Sequence, residues 1–230
     1  MTINEFKTLK LTPAVAYILG IFFPKFKIFR TKTNRNIILG SISYNPQPNK
    51  TPHKCITAEQ LTTHWNRVYN FLETLPDLRR SLLHNNSELF KGAKLKKWGF
   101  SFYLEIDSTQ SPNDVKHILS AMVKRVLDSQ NREIQRCFLR GCFDGRSSVD
   151  ENSGLLALDT SLDSNDLCLL DRIADIFCLY RSNNSRNIKD PRAFQYRIKK
   201  ESLRNFINNI GFFSERRKID LIDYLNNIGR

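Results

Sequence analysis

The sequence predicts an α+β fold built from two similar halves. An apolar helical segment with a central glycine occurs twice, near residue 20 and near residue 141. After each copy, helical spacing of apolar residues gives way to strand alternation in the order helix, hairpin, helix, hairpin, helix. We therefore predict two αββαββα units related by a pseudo-twofold axis, with residues 1–128 as the first half and 129–230 as the second.

The two glycine-containing segments are predicted to be helices that pack against each other. Glycine inside a helix costs about 1 kcal/mol relative to alanine, so a missing side chain at the centre of an apolar face suggests close approach of another backbone. We expect the helices to cross at Gly20 and Gly141. The apolar residues that share these faces are Ala16, Tyr17 and Ile21 in the first copy, and Ile134, Cys137, Phe138 and Cys142 in the second.

In the first half, Thr12 and Pro13 form a helix start, and Pro24 ends that helix. Two strands joined by a polar turn follow. A capping box then begins a second helix at Ala58, which Pro76 interrupts and which is predicted to resume through Leu83. The remaining predicted ranges are strands at 26–32, 36–44 and 98–107, a loop at 45–54, the helix 58–75, and a capped helix from Ser111 to Asp128.

The strand from Trp98 to Asp107 has the clearest alternation, with large apolar residues at every even position through Ile106. Those side chains are expected to face the core. The alternative is a stacking platform for single-stranded nucleic acid, but that requires an exposed face. In the second half we predict strands near Ser148 and at 155–160, a helix at 163–180, a hairpin around 181–186, a strand at 193–199, and a helix from Glu201 to Ile210 capped by Gly211.

The charge balance favours a polyanionic partner. Thirty-six Lys and Arg residues face 23 Asp and Glu residues, giving a formal net charge of +13. Residues 1–128 contain 19 basic and 9 acidic residues, a net of +10, whereas residues 129–230 contribute only +3. The first half is therefore expected to contribute more to phosphate binding.

The cysteines and histidines do not predict a metal site. Five cysteines form no CxxC pair, and four histidines stand far apart, so we interpret the cysteines as reduced residues and expect no zinc. The apolar run at 13–23 lacks a cleavage site for a signal peptide and is too short to span a bilayer. We expect no membrane association and an intracellular protein, in cytoplasm, nucleoid or organelle matrix.

The segment from Leu139 to Ser147, Leu-Arg-Gly-Cys-Phe-Asp-Gly-Arg-Ser, resembles the motif of the LAGLIDADG proteins, which include homing endonucleases and intron maturases. The segment from Ile18 to Phe26 resembles it more weakly. The glycines lie 121 residues apart, a spacing similar to that of single-chain members with two motifs. The resemblance implies a monomer with internal pseudo-symmetry whose β-saddle binds double-stranded DNA.

The resemblance also indicates a degenerate active site. In the family, the last acidic residue of each motif holds the catalytic divalent metal, and here those positions are Lys25 and Arg146. Asp144 matches the earlier aspartate, which is usually structural. The resemblance therefore implies no catalytic residue and no cofactor. Magnesium would be needed only if a divergent nuclease used Asp144, Glu105 or Asp107.

The predicted nucleic-acid-binding residues are outward-facing side chains on strands and their turns, together with the two motif positions. They are expected to contact phosphates and base edges. For these residues the alternative is an ordinary solvated face. For the protein the alternative is a maturase-like function in which it binds structured RNA. The residues are Lys25, Lys27, Arg30, Lys32, Arg35, Lys94, Lys96, Lys97, Arg146, Arg181, Arg186, Gln195, Arg197 and Lys199.

Overall fold

Two four-stranded antiparallel sheets and eight helices make up the described part of the fold. The computed structural model describes residues 1–33, 35–44, 57–73, 78–82, 98–107, 109–150, 155–182, 185–186 and 194–228. It confirms the predicted α+β class, because helices and antiparallel strands follow one another in the same order twice. The division of the chain after residue 128 stays a prediction.

The first half begins with helices whose caps were visible in the sequence. The hydroxyl of Thr12 accepts a hydrogen bond from the backbone of Val15, with Pro13 at the first helical position. Thr57 and Ser111 each form a capping box with the residue three positions later. The helices are α1 (Ile3–Thr8), α2 (Pro13–Phe22), which continues into the 3-10 turn Phe23–Lys25, α3 (Ala58–Phe71) and α4 (Pro112–Asp128).

The first sheet, sheet 1, has the strand order β1-β2-β4-β3. One prediction here is wrong: residues 78–82, expected to continue a helix, form a strand that pairs with Phe100 to Leu104. The strands are β1 (Ile28–Arg30), β2 (Arg35–Tyr44), β3 (Leu78–Leu82) and β4 (Trp98–Asp107).

The second half repeats the first. Its sheet, sheet 2, has the order β5-β6-β8-β7, which is the same pattern of neighbours as in sheet 1. The elements are α5 (Arg132–Arg146), β5 (Ser147–Asp150), β6 (Leu155–Thr160), α6 (Ser164–Asp175), β7 (Ser185–Arg186), β8 (Phe194–Ile198) and α7 (Leu203–Asn209).

Two helix ends in this half are set by residues with positive φ. Helix α6 ends before the predicted Tyr180 because Cys178 takes a φ of +54° and the chain turns there. Gly211 has a φ of +62°, and its backbone N–H donates to the carbonyl oxygen of Phe206, which confirms the predicted glycine cap.

Two helices lie outside the repeated unit, and neither was predicted. Helix α1 precedes the first unit, and helix α8 (Glu215–Ile228) follows the second. Helix α8 packs on β5 and α7 of its own half and on α3 of the first half. The guanidinium of Arg67 on α3 donates to the carbonyl oxygen of Phe213 and pairs with Glu215 at 2.7 Å. The C-terminal helix therefore ties the halves together.

The core extends through both halves along the paired helices α2 and α5 and the inner faces of the sheets. Phe102, Leu104 and Ile106 are buried, as the alternation in β4 predicts, and Tyr196 and Ile198 are buried on β8. Within the described ranges, no helix has the length and apolar character needed to cross a membrane.

Candidate nucleic-acid interface

Helices α2 and α5 touch backbone to backbone at their glycines. A Cβ atom on Gly20 would lie 2.0 Å from the carbonyl oxygen of Phe138, and one on Gly141 would lie 2.0 Å from that of Tyr17. Further along, a Cβ on Gly145 would lie 3.5 Å from the Cα of Ile21. Because the contacts advance in the same direction along both helices, the helices run parallel and their C-terminal ends lie side by side.

Asp144, one turn beyond the crossing, is completely buried. Its Oδ2 accepts hydrogen bonds from the hydroxyl of Tyr17 at 3.0 Å and from the backbone of Phe213 at 3.1 Å. Burial raises the pKa of this carboxyl, while the nearby guanidinium of Arg217 opposes that shift. Arg217 also donates to the backbone carbonyl of Asp144. Asp144 therefore joins α2, α5 and the segment before α8.

Lys25 and Arg146 lie at the adjacent C-terminal ends of the two helices. Lys25 closes the 3-10 turn that continues α2, and Arg146 is the last residue of α5. Both are partly buried, and neither makes a hydrogen bond or an ion pair with any described residue. Burial lowers the pKa of Arg146, and the charge of Asp159 opposes that effect. The two neighbouring helix ends therefore carry cations that make no hydrogen bond or ion pair with a described residue, although the charge of Asp159 acts on Arg146.

The end of α2 is fixed to the second half by β6. The carbonyl oxygen of Pro24 accepts hydrogen bonds from the hydroxyl of Thr160 at 2.7 Å and from the backbone of Ser161 at 3.0 Å. Both bonds satisfy a carbonyl that the end of a helix leaves without an intrahelical partner. They set the position of Lys25 relative to sheet 2.

A hydrogen-bonded array crosses the outer face of sheet 2, the face away from the core. Arg197 donates to Oε1 of Gln195 at 2.9 Å, and Gln195 donates to Oδ1 of Asp159 at 3.4 Å. The negative charge of Asp159 also acts on the guanidinium of Arg146. Sequence analysis identified three members of this array but missed Asp159. Its position on β6, opposite Gln195, becomes apparent only from the strand register.

The predicted basic residues of sheet 1 differ in their surroundings. Lys32 is exposed after β1, and Lys27 lies just before it and is partly buried. Arg35 pairs with Glu105 at 2.8 Å. Arg30 donates to the carbonyl oxygen of Thr109. It pairs with Asn36 across β1 and β2, so its side chain lies on the core side of sheet 1. Three predicted residues lie outside the described ranges, namely Lys94, Lys96 and Lys97.

In the second half, Arg197 and exposed Lys199 lie at β8. Arg181 does not lie on the outer face. Its guanidinium makes a bidentate ion pair with Asp171 of α6 at 2.9 and 3.0 Å, and it also covers the ring of Tyr196. For Arg186 only the backbone is described, as part of β7.

Comparison with solved structures supports the repeated architecture. The homing endonuclease I-DmoI, in complex with DNA and Mn, superposes with a TM-score of 0.50 at 12% identity, covering 88% of this chain and 98% of that one. Full-length DUF199/WhiA from Thermatoga maritima superposes with a TM-score of 0.53 at 14% identity, covering 99% and 67%. The chain has a LAGLIDADG-like fold. No protein-family model matches the sequence, and neither does any curated protein.

The residues at the C-terminal ends of α2 and α5 do not fit a divalent metal ion. The two positions that the motif assigns to metal-binding acids carry cations, Lys25 and Arg146, which cannot act as ligands. The lone motif acid, Asp144, has no solvent exposure, and its Oδ2 is already bonded twice. Across the described ranges, no three His, Cys, Asp or Glu side chains form a cluster that could hold a metal ion.

Proposed function

We propose that this chain binds double-stranded DNA without cleaving it, as a regulator or as the recognition component of a larger system. Its fold is similar to that of I-DmoI, which has been solved with its target DNA in the presence of Mg. The net charge of +13 suits a polyanion. The outer faces of the two sheets supply the strand side chains with which a saddle can enter a major groove.

The observation that carries this proposal is the pair of cations at the helix ends, which make no hydrogen bond or ion pair with a described residue. The C-terminal end of a helix carries a partial negative charge, and phosphates placed there would be repelled. Lys25 and Arg146 offset that charge and offer charge-assisted hydrogen bonds to phosphate oxygens. A metal ion is not needed to bring the phosphates close. Binding is therefore expected without magnesium.

The remaining contacts divide by chemistry. Lys32 and Lys199 are exposed and suited to phosphates. Arg197 and Gln195 are bonded within the array, but each has further N–H groups that can donate to base edges in the major groove. Arg30, Arg35 and Arg181 already have partners within the protein, so they contribute to DNA binding only if they exchange those partners. Lys27, Lys94, Lys96, Lys97 and Arg186 stay proposed phosphate contacts.

A divergent nuclease is the first alternative, and the contacts of its candidate ligands oppose it. Asp144 is buried and bonded, and Glu105 is paired with Arg35. Exposed Asp107 would be left as a lone carboxylate, which is too few ligands for a divalent cation. A maturase-like role in RNA binding is the second alternative. The deep, narrow major groove of duplex RNA does not admit a sheet, which favours DNA.

The test uses the full chain and one labelled random-sequence duplex in excess EDTA. We expect saturable binding. The logarithm of the observed association constant should fall linearly with the logarithm of salt concentration, with a slope of about −0.9 per phosphate neutralised. Affinity that does not change with salt would contradict the proposal. Duplex RNA of equal length as the better competitor would favour the RNA role. Nicked plasmid appearing with magnesium would establish the nuclease.

A further inference from the structure

The outer face of sheet 1 is apolar at its centre, in contrast to the basic surface expected there. The side chain of Phe29 is 53% exposed, the largest exposed fraction among the large hydrophobic residues described. Ile37, Leu39 and Tyr103 are partly exposed on the same face. We name these four residues the apolar patch.

The strand register places the four side chains together. Phe29 pairs with Ile37 across β1 and β2, and Leu39 pairs with Tyr103 across β2 and β4. Residues directly opposite in an antiparallel pair point to the same side, and residues two apart on one strand do as well. Their strand neighbour Ile38 is buried on the opposite side, against the core. The patch is therefore a contiguous surface that the core does not use.

The described side chains of sheet 2 form no equivalent patch. At its centre the outward positions carry Asp159, Gln195 and Arg197, which form the hydrogen-bonded array, and Ala157, which is buried beneath the surface. The two halves share a fold but offer different chemistry on their outer faces. A duplex lying along both would meet hydrogen-bonding groups in one half and apolar groups in the other.

Cations border the apolar patch together with two acidic residues, one of which is paired. Exposed Lys32 follows β1 and Lys27 precedes it. Arg35 begins β2, opposite exposed Asp107. Glu105, opposite Ile37, is paired with Arg35 at 2.8 Å. The patch also follows directly in sequence from the turn that carries Lys25. Such a border suits a phosphate backbone on either side of an apolar contact.

The composition of the patch distinguishes between two features of DNA that an apolar surface can contact. Stacking on unpaired bases requires flat aromatic faces, and here the two aromatic rings are separated by the branched side chains of Ile37 and Leu39. Branched aliphatic groups fit compact apolar groups instead. In the major groove, the compact apolar group is the C5-methyl of thymine.

We propose that the apolar patch recognises thymine methyl groups in the major groove, so that the two halves distinguish their half-sites by different chemistry. The second half uses hydrogen bonds from Gln195 and Arg197, and the first uses Phe29, Ile37, Leu39 and Tyr103. This inference rests on the proposed binding of double-stranded DNA. It adds that the half-site bound by the first half of the protein contains thymines at the contacted positions.

The test begins with selection of preferred duplexes from a random library by the full chain. The selected site is then made with deoxyuridine in place of thymidine, in one half at a time, which removes only the methyl groups. We expect one half to lose affinity by about fourfold per contacted methyl and the other to show no change. The protein is unaltered in this comparison, so loss of folding cannot explain the result.

Variants connect the effect to the patch. Phe29→Ser is expected to weaken binding to the thymidine duplex and to reduce the difference between thymidine and deoxyuridine. Tyr180→Ser is the matched control, because Tyr180 is a 48% exposed aromatic residue outside both sheets. Thermal unfolding of each variant checks that the fold is retained.

Three results would overturn the inference while leaving DNA binding intact. They are equal affinity for thymidine and deoxyuridine in both halves, no thymine preference in the selected sequences, and single-stranded oligothymidylate binding more tightly than duplex in a manner that depends on Phe29. Failure to bind any duplex would instead remove the proposed function itself.

Discussion

The hydroxyl of Tyr17 donates a hydrogen bond of 3.0 Å to Oδ2 of Asp144, joining the two helices that pack at the centre of the molecule. Both groups are buried, so neither can exchange this bond for one with water. Tyr17→Phe is therefore expected to destabilise the protein by about 1–3 kcal/mol. Chemical denaturation measures the effect, and Tyr180→Phe on the exposed surface is the control, with no expected change. Equal stability of the two variants would show that the bond is unimportant.

Gly141→Ala tests the helix crossing. The added Cβ would lie 2.0 Å from the carbonyl oxygen of Tyr17, so the helices must separate, which we expect to cost about 1–3 kcal/mol or more. Gly145→Ala is a matched control on the same helix, because its nearest neighbour would be 3.5 Å away. It is expected to be neutral or stabilising. A Gly141→Ala protein that unfolds at the same denaturant concentration as Gly145→Ala would contradict the crossing.

His64 on α3 makes stability depend on pH. Burial, with Arg217 and Arg67 nearby, lowers its pKa from 6.5 to about 3. Between these values the unfolded chain binds a proton that the folded protein does not, so the contribution is complete above about pH 6.5 and is lost as pH falls toward 3. We expect this group alone to reduce the free energy of unfolding by about 2 kcal/mol between pH 7 and 5.

The variant His64→Gln separates this contribution from those of the carboxyl groups. It removes the titrating group but keeps a polar side chain of similar length. Denaturation at pH 7 and at pH 5 should show a smaller loss of stability in the variant than in the parent protein. If both proteins lose the same amount, His64 does not have the lowered pKa.

The array on sheet 2 gives a separate prediction for DNA binding. Asp159 places a negative charge beside Arg146 and holds Gln195 by a hydrogen bond. In Asp159→Ala both that charge and the acceptor for Gln195 are removed, so affinity for duplexes of any sequence should rise, whereas discrimination between sequences should fall as Gln195 loses its orientation. Binding to a selected and to a scrambled duplex measures both effects. Improved discrimination would contradict the assigned role.

Local signals in the sequence were sufficient for most elements of the fold. Thr12, Thr57 and Ser111 marked helix starts because each offers a hydroxyl to backbone N–H groups of the first turn. Gly20 and Gly141 indicated the crossing, since only contact with another backbone explains glycine in such faces. These features depend on neighbours within a few residues or on one repeated pattern.

The features that sequence analysis missed depend on tertiary contacts. Residues 78–82 pair with β4 some twenty positions later, and no local pattern distinguishes that strand from a continued helix. Helix α8 is held by Arg67 of the first half. Arg181 was predicted to bind nucleic acid from a hairpin turn, but it pairs with Asp171 of the preceding helix α6. The apolar patch was not predicted, because Ile37, Ile38 and Leu39 are consecutive and show no alternation with polar residues that would mark an outward face.

We propose that Lys25 and Arg146 replace a metal ion in holding phosphates. The direct measurement is the salt dependence of duplex binding in excess EDTA for the parent protein and for the double variant Lys25→Ala/Arg146→Ala. Lys124→Ala is the control, because Lys124 is an exposed lysine on α4, away from the helix ends. We predict metal-free binding by the parent, and a double variant that folds but loses affinity and about 1.8 units of salt slope, while the control keeps its slope. A double variant that binds as the parent does, or a parent that binds only with magnesium, would contradict the role of Lys25 and Arg146 in place of a metal ion.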